Sequence, residues 1–139
     1  MTPSGARSLW TVFTTIVVGI AASLVGCASL APLTPVAVSD VKSVAGTWEG
    51  TVYLSGSEPD DIMLTIREDG SYDIVSRLPI GTSRGKGQIV ISDGRLIFQG
   101  EKGRGVGTLS SNPGGDRVMN IEGTLSDNSI LTAKLWPSR

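Results

Sequence analysis

Gln88-Ile89-Val90-Ile91-Ser92-Asp93-Gly94-Arg95-Leu96-Ile97-Phe98-Gln99 reads as two short runs of strand-forming residues around a two-residue turn. A type I′ hairpin turn needs positive φ at both central positions, and Asp-Gly is among the pairs that tolerate this best. Gln88–Ile91 is evenly apolar and predicts a strand covered on both faces. Outward from this hairpin the same grammar repeats. Glu68-Asp69-Gly70 suits a hairpin with Gly in the left-handed position, and Asn112-Pro113-Gly114-Gly115 and Ser126-Asp127-Asn128-Ser129 are further turn clusters. Between the turns, apolar residues alternate with polar ones: Ile62, Leu64 and Ile66 share one face. No segment sustains the 3.6-residue period of a helix.

Eight strands follow: Gly46–Leu54, Ile62–Glu68, Ser71–Arg77, Lys86–Ser92, Arg95–Gln99, Gly105–Ser110, Arg117–Leu125 and Ile130–Trp136. Short links make successive strands antiparallel neighbours, and a meander of eight loses its two exposed edges by closing. The expected fold is all-β, a small eight-stranded antiparallel meander barrel. An eight-stranded interior is just wide enough to be filled by side chains or to hold one small ligand. With strands this short, filling by residues such as Val52, Leu64, Ile66, Ile74, Ile89, Leu96, Phe98 and Ile121 is the expectation.

Ahead of these strands the sequence changes character. Arg7 beside the terminal amine precedes a diluted apolar run over Leu9–Val25, which has the layout of a secretory signal and is short for a membrane span. The run ends in Leu24-Val25-Gly26-Cys27, which holds the only cysteine of the 139 residues. This tetrapeptide resembles the lipobox of bacterial lipoproteins. The resemblance implies signal peptidase II recognition through Leu24, Val25 and Gly26, cleavage before Cys27, and lipid on the Cys27 thiol and amine. Two or three acyl chains hold a protein on a membrane where one holds it only marginally. Ala28, in place of the aspartate that retains such proteins at the inner membrane, implies the periplasmic face of the outer membrane in a cell that has one. The expected organisation is a signal peptide at 1–26, a lipidated Cys27 with an extended tether to residue 43, and a barrel over 44–139. The tether carries Pro32 and Pro35 and has a reach of roughly 45 Å.

Gly46-Thr47-Trp48, at the head of the first barrel strand, is similar to the Gly-x-Trp opening of lipocalins and other calycins, avidin-like barrels included. That resemblance implies that Trp48 plugs one barrel end and that a basic side chain from the last strand, Lys134 or Arg139, packs over it. Trp136 lies on the last strand, which neighbours the first in a closed barrel, so Trp48 and Trp136 form a candidate barrel-end or ligand-lining pair.

Formal charge is −1, from 12 basic and 13 acidic residues, and draws no nucleic acid. Acidic residues crowd the first half, Glu49 to Asp73. Arg84, Lys86, Arg95, Lys102 and Arg104 crowd the middle and form a candidate basic surface for phosphates or an acidic partner. Gly85-Lys86-Gly87 and Gly103-Arg104-Gly105-Val106-Gly107 are not phosphate loops, because no helix follows them. Glycine at alternate positions relieves crowding or bends strands instead. Histidine is absent and the one thiol is expected to be acylated, so the usual nucleophile–base pairs are missing and no enzyme is expected. No metal or cofactor is expected either. Together these features predict a membrane-anchored envelope binding module. It would meet an envelope protein or glycan through loops such as Arg77–Lys86 and Ser110–Arg117, or, as the alternative, carry a small apolar ligand as lipocalins do.

Overall fold

The computed structural model describes residues 32–78 and 81–139, so Leu24, Val25, Gly26 and Cys27 lie outside the described residues. The strands are β1 (Thr34–Val36), β2 (Gly46–Leu54), β3 (Asp60–Ile66), β4 (Ser71–Leu78), β5 (Gly81–Ser92), β6 (Arg95–Gly100), β7 (Gly103–Ser111), β8 (Arg117–Leu125) and β9 (Ile130–Pro137). β2 to β9 pair in sequence, each antiparallel to the next, and β9 returns to β2 with Trp48 opposite Pro137 and Leu54 opposite Leu131. The sheet is therefore a closed eight-stranded barrel, as the turn pattern predicts. The seam between β2 and β9 is so close that a Cβ on Gly50 would run into the Lys134 carbonyl.

The turns form as their residues dictate. Asp93 and Gly94 both adopt positive φ, 50° and 74°, and Gly70 sits at 87°. Asp69 and Asp127 each accept from the hydroxyl and amide of the serine two residues on, which holds both carboxyls below their usual pKa. Alternation then fills the interior: Trp48, Val52, Leu64, Ile66, Ile89, Leu96, Phe98, Met119, Ile121 and Leu135 are buried, with Ile74, Ile91 and Leu131 packed against them. β5 departs from its expected two-sided burial. Ile89 is buried, but Val90 is 47% exposed, because one face of a barrel wall looks to solvent. The expected loop Arg77–Lys86 is shorter than read: β4 runs on to Leu78 and β5 begins at Gly81.

The largest departure lies before Gly46. Residues 34–43, expected to be tether, pack on the barrel. β1 pairs antiparallel with the end of β7, with Thr34 opposite Ser111 and Val36 opposite Leu109, where β6 no longer covers that edge. The Val38 amide donates to the Gly94 carbonyl at 2.9 Å. A single 3₁₀ turn at Val41–Val44 follows, capped by Asp40, whose carboxylate accepts from the Lys42 amide at 3.0 Å. Val38 and Val44 are buried, and Val41 is partly so. The chain thus crosses one end of the barrel and shuts it. Burial of three valines decides this local structure, which a proline-bearing stretch without alternation does not announce.

Candidate functional site

The two ends of the barrel differ. At the shut end, Trp48 is 2% exposed, and its indole N–H donates to the Val44 carbonyl at 2.9 Å. The basic group over its ring is neither Lys134 nor Arg139 but Arg117, at the head of β8, 5.3 Å from the ring centroid. Arg117 also donates to the Ser43 carbonyl at 2.7 Å, so one guanidinium ties plug to strand. Strand parity explains the correction. Lys134 stands opposite Thr51 and points outward, two residues from Trp136, and its ammonium lies 5.5 Å from that ring instead. Trp136 is 44% exposed and faces away from Trp48, so the two tryptophans share a strand pair but no surface. Arg139 follows the end of β9.

The other end is open. Past Phe98 and Ile121 the interior is not filled, and a cavity of about 230 Å³ opens between the ends of β4, β5, β7 and β8. Its lining is apolar on one side, from Val52, Leu54, Ile62, Ile74 and Leu131. On the other side the wall is backbone, because Gly85 on β5, Gly100 on β6, Gly103 and Gly105 on β7, and Gly123 on β8 present no side chains inward. Where inward positions carry glycine, a barrel that would otherwise be packed keeps its space. The filled interior expected from strand length is thus realised in the half nearer Trp48 and not in the other half.

Tyr72 stands in this space. Its ring meets Phe98 edge-on at 5.1 Å. Its hydroxyl reaches the β5–β6 wall at a point where a Cβ on either Gly87 or Gly100 would lie 2.6 Å from it, so both positions need glycine. Tyr72 is 5% exposed as a residue and lines the cavity, and no buried side-chain polar atom among the described residues lacks a partner, so its hydroxyl is reached from the cavity space. Burial pushes its pKa upward, which keeps the phenol protonated and a donor at neutral pH.

Four of the five basic residues singled out in the sequence gather at this mouth: Arg84 and Lys86 on β5, Lys102 in the β6–β7 turn, and Arg104 on β7. Arg95 does not join them; it begins β6, at the shut end. The turn is held against its neighbours. The Lys102 ammonium donates to the Arg84 carbonyl at 2.7 Å, the Glu101 amide to the Lys86 carbonyl at 3.3 Å, and the Ser126 amide to the Lys102 carbonyl at 2.9 Å. Among the described residues, only Glu101, 3.8 Å from Lys86, offsets this charge through an ion pair. On the opposite lip, Asp60 accepts from Ser76.

The fold has a solved counterpart. The chain is similar to a redesigned β-barrel. The TM-score is 0.51 at 17% identity, covering 73% of this chain and 97% of that one, and the likeness carries the architecture alone. No family model matches the chain, and no curated protein matches it.

Tyr72 and the glycine wall escaped the sequence reading as site residues. Their signal was present in the alternation Gly85-x-Gly87 and Gly103-x-Gly105-x-Gly107. Strands that lack inward side chains, here β5 and β7 on either side of β6, leave a void wherever the facing strands do not fill it. Among the described residues no group of three His, Cys, Asp or Glu side chains stands close enough to hold a metal ion, and no helix is long and apolar enough to cross a membrane.

Proposed function

We propose that this protein is a lipid-anchored envelope protein that binds a small apolar or amphipathic molecule in the open half of its barrel. The supporting observation is the cavity at that end, walled by aliphatic side chains on one side and glycine backbone on the other. A concave apolar space with few polar groups is the usual form of a small-molecule site. At about 230 Å³ it lies below the roughly 300–1,000 Å³ of sites for drug-sized ligands, which favours a slim occupant over a bulky one.

Residues 32–139 contain all nine strands and the whole described core, so residues 28–139 are a folding unit suited to a direct test. Native mass spectrometry of this piece after export is expected to show a reproducible extra mass that organic solvent strips. A clean apo mass across several preparations would overturn the reading. It would send attention to the outer wall, where Tyr53 and Trp136 are exposed. The anchor is tested separately. Cys27→Ser in the full chain is expected to abolish labelling by a radioactive fatty acid and to move the protein out of the membrane fraction. Unchanged labelling would end the lipoprotein reading without touching the cavity.

A further inference from the structure

The mouth of the cavity carries two features that an apolar carrier has no use for: a hydroxyl that faces the cavity, on Tyr72, and a concentration of positive charge. They lie on the same side. Gly100, against which the Tyr72 hydroxyl rests, immediately precedes the turn that carries Lys102, and a Cβ there would also stand 3.2 Å from the Gly103 carbonyl and 3.5 Å from that of Lys86. The donor therefore opens toward the rim between β5 and β7, where Lys102 lies in the turn and Arg84, Lys86 and Arg104 carry their charge on the outer face of the wall. A donor set in an otherwise apolar cavity is the kind of polar group that fixes a ligand's orientation. Its natural partner is an acceptor arriving with the ligand, and the positive rim favours one that is negatively charged. The aliphatic wall of Val52, Ile62, Ile74 and Leu131 faces the remainder of the space.

Building on the binding role proposed above, we infer that the site selects a single-chain amphiphile with an anionic head. The head takes the Tyr72 hydroxyl as a donor and lies under the Lys102–Arg104 rim, and the chain runs against the aliphatic wall. A carboxylate and a phosphate monoester share this chemistry.

Titration calorimetry of residues 28–139, stripped of any bound molecule, separates the alternatives. The probes are decanoate and decyl phosphate, with decanol and decyltrimethylammonium as controls of the same chain length. At least one anion is expected to bind roughly tenfold or more tightly than decanol, the gain of a charge-assisted hydrogen bond. The cationic control is expected to be weakest, and the better anion identifies the head. Tyr72→Phe, which keeps the ring in place, is expected to lose about tenfold toward that anion. Lys102→Glu/Arg104→Glu, both exposed and outside the core, is expected to remove the preference over decanol. Decanol binding as tightly as both anions would overturn this inference and leave the binding role standing. Failure of all four probes would overturn both.

Discussion

Trp48→Ala is expected to cost about 3–5 kcal/mol of folding stability, the range for removing a large aromatic from a core. A small domain holds only about 5–15 kcal/mol in total, so the variant is expected to be close to unfolding at 37 °C. The size of the effect comes from what the indole does at once. It is 2% exposed, fills the shut end of the barrel, bonds the Val44 carbonyl and lies under Arg117. Trp48→Phe separates these contributions. It keeps most of the buried area and loses the N–H bond, for about 1 kcal/mol plus a packing remainder. Urea unfolding followed by circular dichroism measures both variants. If Trp48→Ala unfolds at the wild-type midpoint, Trp48 is not the plug described here.

A chain that begins at Gly46 is expected to lose a similar amount. It keeps all eight barrel strands but lacks β1, the 3₁₀ turn, and the buried Val38 and Val44. Full burial of two valines is worth roughly 3–6 kcal/mol. The truncation also leaves the Trp48 indole N–H without its acceptor and Arg117 without the Ser43 carbonyl. Thermal unfolding of residues 46–139 beside residues 32–139 tests this. Equal midpoints would show that 34–44 merely rests on the barrel. A large drop would make this segment part of the folding unit.

These two experiments fall on either side of what was legible in the sequence. The barrel strands were legible because each is short, alternates, and ends in a turn whose chemistry is local. Asp93-Gly94 needs only its own two residues to declare a hairpin. Trp48 as an end plug was legible through Gly46-Thr47-Trp48. The plug that covers it was not. Val38 and Val44 are apolar residues in a proline-bearing stretch without alternation, and what buries them is a barrel end built from residues far along the chain, such as Arg117, 74 positions from Ser43. The partner of Trp48 was misplaced for a related reason. Proximity of first and last strands was foreseen, but the inward or outward sense of Lys134 follows from register, which only the closed sheet fixes. The basic cluster was visible as composition, and four of its five members prove to share one rim. That Arg95 does not follows from its place after the β5–β6 turn, one strand length away.

The folding of residues 34–44 onto the barrel also sets a leash length. With lipid on Cys27, as proposed, only residues 28–33 separate the anchor from β1, and even fully extended they span about 25 Å, not the roughly 45 Å of a free tether. The leash leaves from the shut end, beside Ser111 at the end of β7. The domain is then a cup fastened by its base, with its brim of Arg84, Lys86, Lys102 and Arg104 turned from the bilayer that holds it. A ligand bound as proposed would then arrive from the aqueous compartment or from a facing surface, and not by sliding sideways out of the membrane underneath.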